Sequence, residues 1–195
     1  MAWDNKDLNL LCKYAERRMF IMETGGGVST LRLAKVAKKY KSKIVSIEVD
    51  SHNTVSVDGV DYQIGWSITY EDMVKKGDKN FVDRDGSYPH LDRNVAVLGE
   101  KYMNGERDLI RKSIAKYECQ PDFFFCDTGE YCGLAEWNVV KNVIPIGGIF
   151  ACHDIYYPKS IKCFKVVKKI KRSKNWKIIK KTSSKQGILI AERIK

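Results

Sequence analysis

Acidic side chains follow the short apolar runs that predict the buried strands of this chain. Glu23, Glu48 and Asp127 each come directly after such a run, and His153 and Asp154 follow another. Ligands of open α/β sheets bind outside the carboxyl ends of the strands, so we expect these side chains to converge at one edge. Carboxylates there could bind an ammonium group, sugar hydroxyls or a cation, and an imidazole could move a proton.

A glycine-rich segment, E-T-G-G-G-V-S, occupies residues 23–29 between a predicted strand and a predicted helix. Glycine lets the backbone approach a ligand closely and adopt turns that other residues avoid. The segment lacks the G-x-G-x-x-G spacing of a dinucleotide clamp, because Thr30 stands at the third glycine position, and it lacks the G-K-S/T of a P-loop. These absences count against a ligand that is held through its phosphates.

The acids beside the glycine turn indicate a nucleoside that carries an amino-acid group. Glu23 would repel a phosphate but could hold an ammonium group. Glu48, 21 residues after Gly27, could accept hydrogen bonds from both ribose hydroxyls. Trp66 and Ser67, after a third apolar run, could pack against and hydrogen-bond an adenine.

These residues resemble the class I S-adenosylmethionine-dependent methyltransferases. Residues 23–29 are similar to the first motif of that family, E-x-G-x-G-x-S, and Glu48 is similar to its acidic second motif. The stretch 122–154 resembles the branch that includes small-molecule and sugar O-methyltransferases (methyltransferase 24-like). The resemblance covers roughly residues 19–154. It implies a set of residues that bind S-adenosylmethionine: Glu23, Thr24, Gly25, Gly27, Ser29, Glu48, Trp66, Ser67 and Asp127.

The resemblance also implies that Asp127, His153 and Asp154 face the methyl acceptor. In similar O-methyltransferases, acids after strands four and five bind a divalent cation, so Asp127 and Asp154 could hold Mg²⁺, which acidifies a substrate hydroxyl. His153 could act as a general base, because an imidazole exchanges protons near neutral pH. In the alternative interpretation, Asp127 contacts only the cofactor and Asp154 caps the next segment.

The elements that would position these residues are those of an α/β fold. The order strand, glycine turn, helix, strand predicts a parallel sheet with a right-handed crossover. The helix usually found after the second strand is missing or very short, and Asp58-Gly59 predicts a hairpin over residues 54–64. With the resemblance, we expect a Rossmann-like, doubly wound, mostly parallel seven-stranded sheet that ends in a C-terminal antiparallel hairpin.

The length of 195 residues predicts a single domain, residues 1–195. Residues 72–106 are polar and irregular, and so long a link in a compact domain is typical of a lid or binding loop. We therefore expect an inserted lid or substrate loop at about residues 72–106. Apolar runs stay far below the ~20 residues that a membrane span needs.

The charge of the chain is concentrated at its C-terminal end. The net charge is +11, yet residues 159–195 hold 14 Lys or Arg and one acid, whereas residues 1–158 are close to neutral. An amphipathic helix with a solvated basic face is the favoured interpretation, and contact with nucleic acid or a membrane surface are the alternatives.

The function predicted from these observations is methylation of a small-molecule or sugar hydroxyl, with or without a metal. The alternatives are an RNA methyltransferase that uses the basic C-terminal face and a non-catalytic nucleotide-binding Rossmann-like protein. Six cysteines without a C-x-x-C pair, and an N-terminus without a signal pattern, predict a cytoplasmic protein with reduced thiols. A homo-oligomer is also compatible with the sequence.

Overall fold

A seven-stranded sheet forms the centre of the protein in the computed structural model, which describes residues 3–76, 105–129, 132–156 and 162–195. The strands are β1 Phe20–Thr24, β2 Lys43–Glu48, β3 Asp61–Ile64, β4 Phe123–Cys126, β5 Ile149–His153, β6 Trp176–Lys181 and β7 Ile188–Arg193. Their order is β3-β2-β1-β4-β5-β7-β6. The first five are parallel, and β7 runs antiparallel to both β5 and β6. The predicted mostly parallel sheet with a C-terminal hairpin is confirmed.

Within the described residues, six helices cover the two faces of this sheet: α1 Asn5–Ala15, α2 Val28–Tyr40, α3 Tyr70–Lys76, α4 Leu109–Tyr117, α5 Gly133–Val140 and α6 Phe164–Arg172. Successive side chains of a strand point to opposite faces. Phe123 and Phe125 therefore pack on the side of α1 and α2, whereas Phe124 packs on the side of the other four helices. Both faces of the central strands are buried, which explains why these strands are mostly apolar up to their carboxyl ends.

The connection from β2 to β3 is short. It contains one 3-10 turn, Ser51–Asn53, so the predicted loss of a helix here is confirmed. The predicted hairpin over 54–64 is wrong, because Asp61–Ile64 pairs in parallel with β2 and residues 54–60 form no strand. The free edge of β2 supplies hydrogen-bond partners for a parallel strand, and residues 54–60 are needed to return the chain to the start of that strand.

The predicted insertion at about residues 72–106 begins with a helix and not with an irregular segment. Residues 72–76 belong to α3, and residues 77–104 lie outside the described residues, so the lid remains a prediction. Glu106 forms a parallel bridge with Gly65, and the backbone N–H of Trp66 donates to the Glu106 carbonyl at 2.8 Å. Asp72 pairs with Arg111 of α4 at 2.7 Å. The described ends of the segment are thus held together beside the end of β3.

The C-terminal elements pack on the second face. Val166, Val167 and Ile170 of α6 are buried, whereas its lysines at 168, 169 and 171 are exposed. Trp176 of β6 contacts Trp137 edge to face at 4.9 Å between ring centroids. Among the described residues, no helix is long and apolar enough to cross a membrane.

Candidate functional site

The candidate site lies along the carboxyl ends of four neighbouring parallel strands. In the strand register, Thr24 pairs with Ile47 and with Cys126, and Cys126 pairs with Cys152. The strands therefore end at one level: Glu48 and His153 are the last residues of β2 and β5, and Asp127 and Asp154 directly follow β4 and β5. Glu23, which the sequence placed after its strand, is instead the fourth residue of β1. The predicted convergence of Glu23, Glu48, Asp127, His153 and Asp154 on one edge is what the register produces.

The glycine turn after β1 packs closely against the end of β4 at Gly25 and leaves open space at Gly27, which we call the glycine cradle. Gly25 has a φ of +83°, and a Cβ there would lie 2.2 Å from the carbonyl oxygen of Asp127, so only glycine lets the turn approach the end of β4. Gly27 has a φ of +140°, and a Cβ there would meet no described atom within 4 Å. The turn is packed tightly on one side and is open at the start of α2.

Glu48 is held beside this turn by backbone donors. Its Oε2 accepts from the N–H of Gly26 at 2.9 Å, and its Oε1 accepts from Val49 at 2.8 Å and from Asp50 at 3.1 Å. Burial raises the pKa of Glu48 overall, although these N–H groups act in the opposite direction. Within the described residues Oε2 accepts a single hydrogen bond, so it keeps acceptor capacity for a ligand.

Glu23 lies beneath the glycine turn, fully buried. Its Oε2 accepts from the Ser29 hydroxyl at 3.0 Å, and its Oε1 makes no hydrogen bond to a described residue. Burial raises the pKa of Glu23 to about 7, against the opposing effect of nearby hydroxyl groups. With this pKa the carboxyl is protonated in part of the molecules at neutral pH, and its contact with an ammonium group remains a prediction.

A buried acid that the sequence analysis did not find, Glu136 of α5, connects three parts of the site. Its carboxylate accepts from Thr24 at 2.7 Å, from Ser67, and from the Cys126 thiol at 3.3 Å. Burial raises the pKa of Glu136. The hydroxyls of Thr24 and Ser67 thus have partners inside the protein, and their predicted contacts with a cofactor remain predictions. The sequence feature that could have identified Glu136 is that it is an acid within the apolar run of α5.

Trp66 follows β3 at the same edge of the sheet. It is half-buried and packs against the core of the second face. Its backbone carbonyl accepts from the N–H of Leu109 at 3.1 Å, which fixes the turn to the start of α4. Trp66 follows the strand farthest from β5 along this part of the sheet, and its contact with an adenine remains a prediction.

Asp127, His153 and Asp154 form one cluster after β4 and β5. Nδ1 of His153 lies 3.5 Å from Asp127 Oδ1 and 3.8 Å from Asp154 Oδ1. Ligand-type atoms of the three residues lie within 4.8 Å of one another. Asp154 has a φ of +56°, a left-handed conformation that Asp adopts more readily than most residues. The three predicted acceptor-side residues are therefore brought together.

Lys162 also belongs to this cluster, and the sequence analysis did not find it. Its ammonium lies 3.2 Å from Asp127 Oδ1 and 3.0 Å from Asp154 Oδ2. Burial lowers the pKa of Lys162, but the two carboxylates more than offset this effect and raise it overall. The ammonium already bridges the two acids predicted to hold Mg²⁺, so this arrangement does not fit a divalent cation at the same point.

Trp3 covers the imidazole of His153. The two rings are stacked with centroids 4.0 Å apart and planes 15° from parallel, and Trp3 also contacts Phe125. His153 itself is almost fully buried. Nothing in the spacing of Trp3 indicates this contact, since 150 residues separate the two rings in the chain.

Comparisons with known proteins give fold similarity at low sequence identity. No protein-family model matches the chain, and the comparison with curated proteins gave no significant match. The O-methyltransferase TomG from Streptomyces achromogenes, solved in complex with SAM, has a TM-score of 0.62 and 13% identity over 100% of this chain and 82% of its own. MycE from the mycinamycin biosynthetic pathway, solved with Mg, SAH and mycinamycin VI, has a TM-score of 0.53 and 12% identity over 97% of this chain and 49% of its own.

A putative ribosomal RNA methyltransferase from Plasmodium falciparum is also similar. Its TM-score is 0.54, and its identity is 14% over 97% of this chain and 94% of its own. The chain therefore has the Rossmann-like fold of class I S-adenosylmethionine-dependent methyltransferases, as the sequence motifs predicted.

Proposed function

We propose that this protein is an S-adenosylmethionine-dependent methyltransferase that methylates a hydroxyl group of a small molecule. The observation that carries the proposal is the open glycine cradle at Gly27, with the carboxylate of Glu48 fixed beside it. The similarity in fold to TomG and to other O-methyltransferases supports this proposal.

The residues around the cradle fit the parts of the cofactor. The free acceptor capacity of Glu48 suits ribose hydroxyls, the negative charge of Glu23 suits the methionine ammonium, and Trp66 suits adenine. When bound, S-adenosylmethionine supplies a methyl group on a positively charged sulfur, which leaves as a neutral thioether with the C–S electron pair. The contribution of the protein is mainly to orient the two reactants.

His153 is the proposed general base. Its Nδ1 lies 3.5 Å from Asp127 Oδ1 and 3.8 Å from Asp154 Oδ1, so the two carboxylates orient the ring that takes the proton of the acceptor hydroxyl. Trp3 holds the plane of the ring. The acceptor oxygen, freed of its proton, forms the new bond to the methyl carbon.

The acceptor proposed here is a small molecule, because TomG is involved in tomaymycin synthesis and MycE was solved with mycinamycin VI. An RNA acceptor is the second candidate, because the exposed lysines of α6 and β6 form a basic surface and the Plasmodium enzyme shares the fold. Binding to RNA through that surface would weaken steeply with salt. The lysines of β6 also lie on an edge strand, where charged side chains prevent pairing with another chain. They therefore have a role that needs no RNA, which favours a small-molecule acceptor.

The proposed location is the cytoplasm, because all six cysteines are free, including the three buried ones, Cys126, Cys152 and Cys163. A homo-oligomer is proposed on the exposed apolar side chains Met19 and Ile146, which precede β1 and β5 at the opposite edge of the sheet. Size-exclusion chromatography with light scattering tests the oligomer.

Calorimetry with S-adenosylhomocysteine and with NAD tests the proposed function. We expect S-adenosylhomocysteine to bind the protein and NAD not to bind. Transfer of a labelled methyl group to a panel of hydroxyl compounds then separates an enzyme from a non-catalytic binding protein. Binding of NAD without S-adenosylhomocysteine would overturn the proposal.

A further inference from the structure

The acidic cluster at the ends of β4 and β5 contains its own cation. The ammonium of Lys162 reaches both carboxylates, at 3.2 Å from Asp127 and 3.0 Å from Asp154. Its side chain is only 20% exposed, and the two carboxylates are 14% and 9% exposed. Ion pairs that are this shielded from water are stronger than surface pairs.

The backbone around Lys162 is fixed by packing on two sides. A Cβ at Gly133 of α5 would lie 2.4 Å from the carbonyl oxygen of Lys162, so a glycine is required for this approach. The next residue, Cys163, is fully buried, with its Sγ 3.8 Å from Cys126 of β4. The start of the Lys162 side chain is therefore held close to the ends of the two strands that carry the acids.

The charges of the cluster leave little attraction for a second cation. Two carboxylates and one ammonium give a net charge of −1 when His153 is neutral. A divalent cation between the same carboxylates would lie within a few ångströms of the ammonium, and like charges at that distance repel strongly in a partly buried site. Binding of a metal would require Lys162 to leave.

We propose that Lys162 is the resident cation of this site, and that its ammonium holds Asp127 and Asp154 in the place of a divalent metal. The expected consequence is that methyl transfer proceeds without an added metal, and this consequence rests on the proposed function. Lys162 is a positioning residue that keeps both carboxylates beside His153. Its positive charge lies close to where negative charge develops on an acceptor oxygen that has lost its proton.

Binding of Mn²⁺ tests the proposal independently of turnover. We expect wild-type protein to bind Mn²⁺ only weakly in electron paramagnetic resonance titrations at millimolar concentration. Lys162→Met should bind Mn²⁺ about tenfold more tightly or better, because one like charge has been removed from between two carboxylates. Lys162→Arg keeps the charge and should behave as wild type. Lys169→Met is the matched control, since it removes one exposed lysine of α6 without touching the cluster.

Two outcomes would overturn the proposal. One is equal Mn²⁺ affinity of wild type and Lys162→Met. The other is the absence of Mn²⁺ binding from a Lys162→Met protein that still binds S-adenosylhomocysteine, because its carboxylates would then not form a cation position. If Lys162→Met does not fold, Lys162→Gln replaces it in the same comparison.

Turnover gives a second readout once an acceptor is known. We expect wild-type activity to survive a chelator and to be unchanged by added Mg²⁺, and a loss of activity that Mg²⁺ restores would overturn the proposal. Failure of the proposed function gives a different result: wild-type protein would not bind S-adenosylhomocysteine, while the Mn²⁺ comparison would still report on the cation position.

Discussion

The indole of Trp3 is stacked on the imidazole of His153, with ring centroids 4.0 Å apart and planes 15° from parallel. Trp3 precedes α1, and His153 ends β5 in the centre of the sheet. The beginning of the chain thus forms one wall of the candidate site. An aromatic ring in this position restricts rotation of the imidazole and shields it from water.

Replacement of Trp3 should slow methyl transfer as well as destabilise the fold. We expect Trp3→Ala to lower kcat about tenfold, because the proposed base loses the ring that orients it. The loss of the stacked pair should also lower stability by about 1 kcal/mol, in addition to the effect of the buried apolar area that is lost. Trp3→Phe keeps a stacked ring and should stay close to wild type. Steady-state kinetics and urea unfolding check this, and equal kcat values for the Ala and Phe variants would contradict it.

Burial of Glu23 should make the stability of the protein depend on pH. The pKa of Glu23 is raised from 4.5 to about 7, so the folded protein binds a proton that the unfolded chain has released between those values. Its contribution to the free energy of unfolding is therefore largest below pH 4.5 and is lost as the pH rises to 7. The loss is about 3 kcal/mol by linkage.

Glu23→Gln isolates this effect from those of the other buried acids, because the amide does not titrate. Urea unfolding of both proteins over the window from pH 4.5 to pH 7 gives the comparison. We expect wild type to lose stability relative to Glu23→Gln as the pH rises. Parallel pH profiles would show that Glu23 titrates alike in the folded and unfolded chains.

Glu48 should control affinity for the nucleoside. We expect Glu48→Ala to weaken binding of S-adenosylhomocysteine by roughly 10- to 100-fold, since hydrogen bonds to a charged group are each worth about 1.5–3 kcal/mol. The variant also loses the acceptor for the N–H of Gly26, so part of the effect comes from a looser turn. Calorimetry measures the affinity. The exposed control Glu16→Gln should bind as wild type does, and unchanged affinity in Glu48→Ala would place the ribose elsewhere.

Two glycines with the same φ angle allow the energetic cost of the close approach between the glycine turn and Asp127 to be measured. Gly25 and Gly59 both have a φ of +83°, but only a Cβ at Gly25 meets the backbone of Asp127, whereas one at Gly59 meets nothing within 4 Å. Gly59→Ala should cost about 1–2 kcal/mol for its left-handed conformation alone.

Gly25→Ala should cost at least about 2 kcal/mol more than Gly59→Ala, because β1 and β4 must also separate at their ends. Thermal or urea unfolding of the two variants gives the difference directly. Equal losses of stability would mean that the turn after β1 can move away from Asp127 at little cost.

The sequence by itself determined most of the fold and the cofactor half of the site. Apolar runs of four or five residues identify buried strands, and the glycines of residues 25–27 identify the turn after the first of them. These are local signals, because strand periodicity and turn geometry are set by neighbouring residues. The acids at the strand ends follow from the same signals, since a parallel sheet brings its carboxyl ends to one edge.

Only the tertiary structure decided the partners of those acids. Residues 54–64 contain a turn signal that would suit a hairpin, yet the free edge of β2 makes Asp61–Ile64 a parallel strand. Lys162 resembles the other lysines of the C-terminal region, and the close approach of its backbone to Gly133 is what brings its charge to Asp127. Trp3 meets His153 only after α1 has packed on the sheet. Contacts between distant segments depend on how whole elements pack, and no local pattern of residue types specifies them.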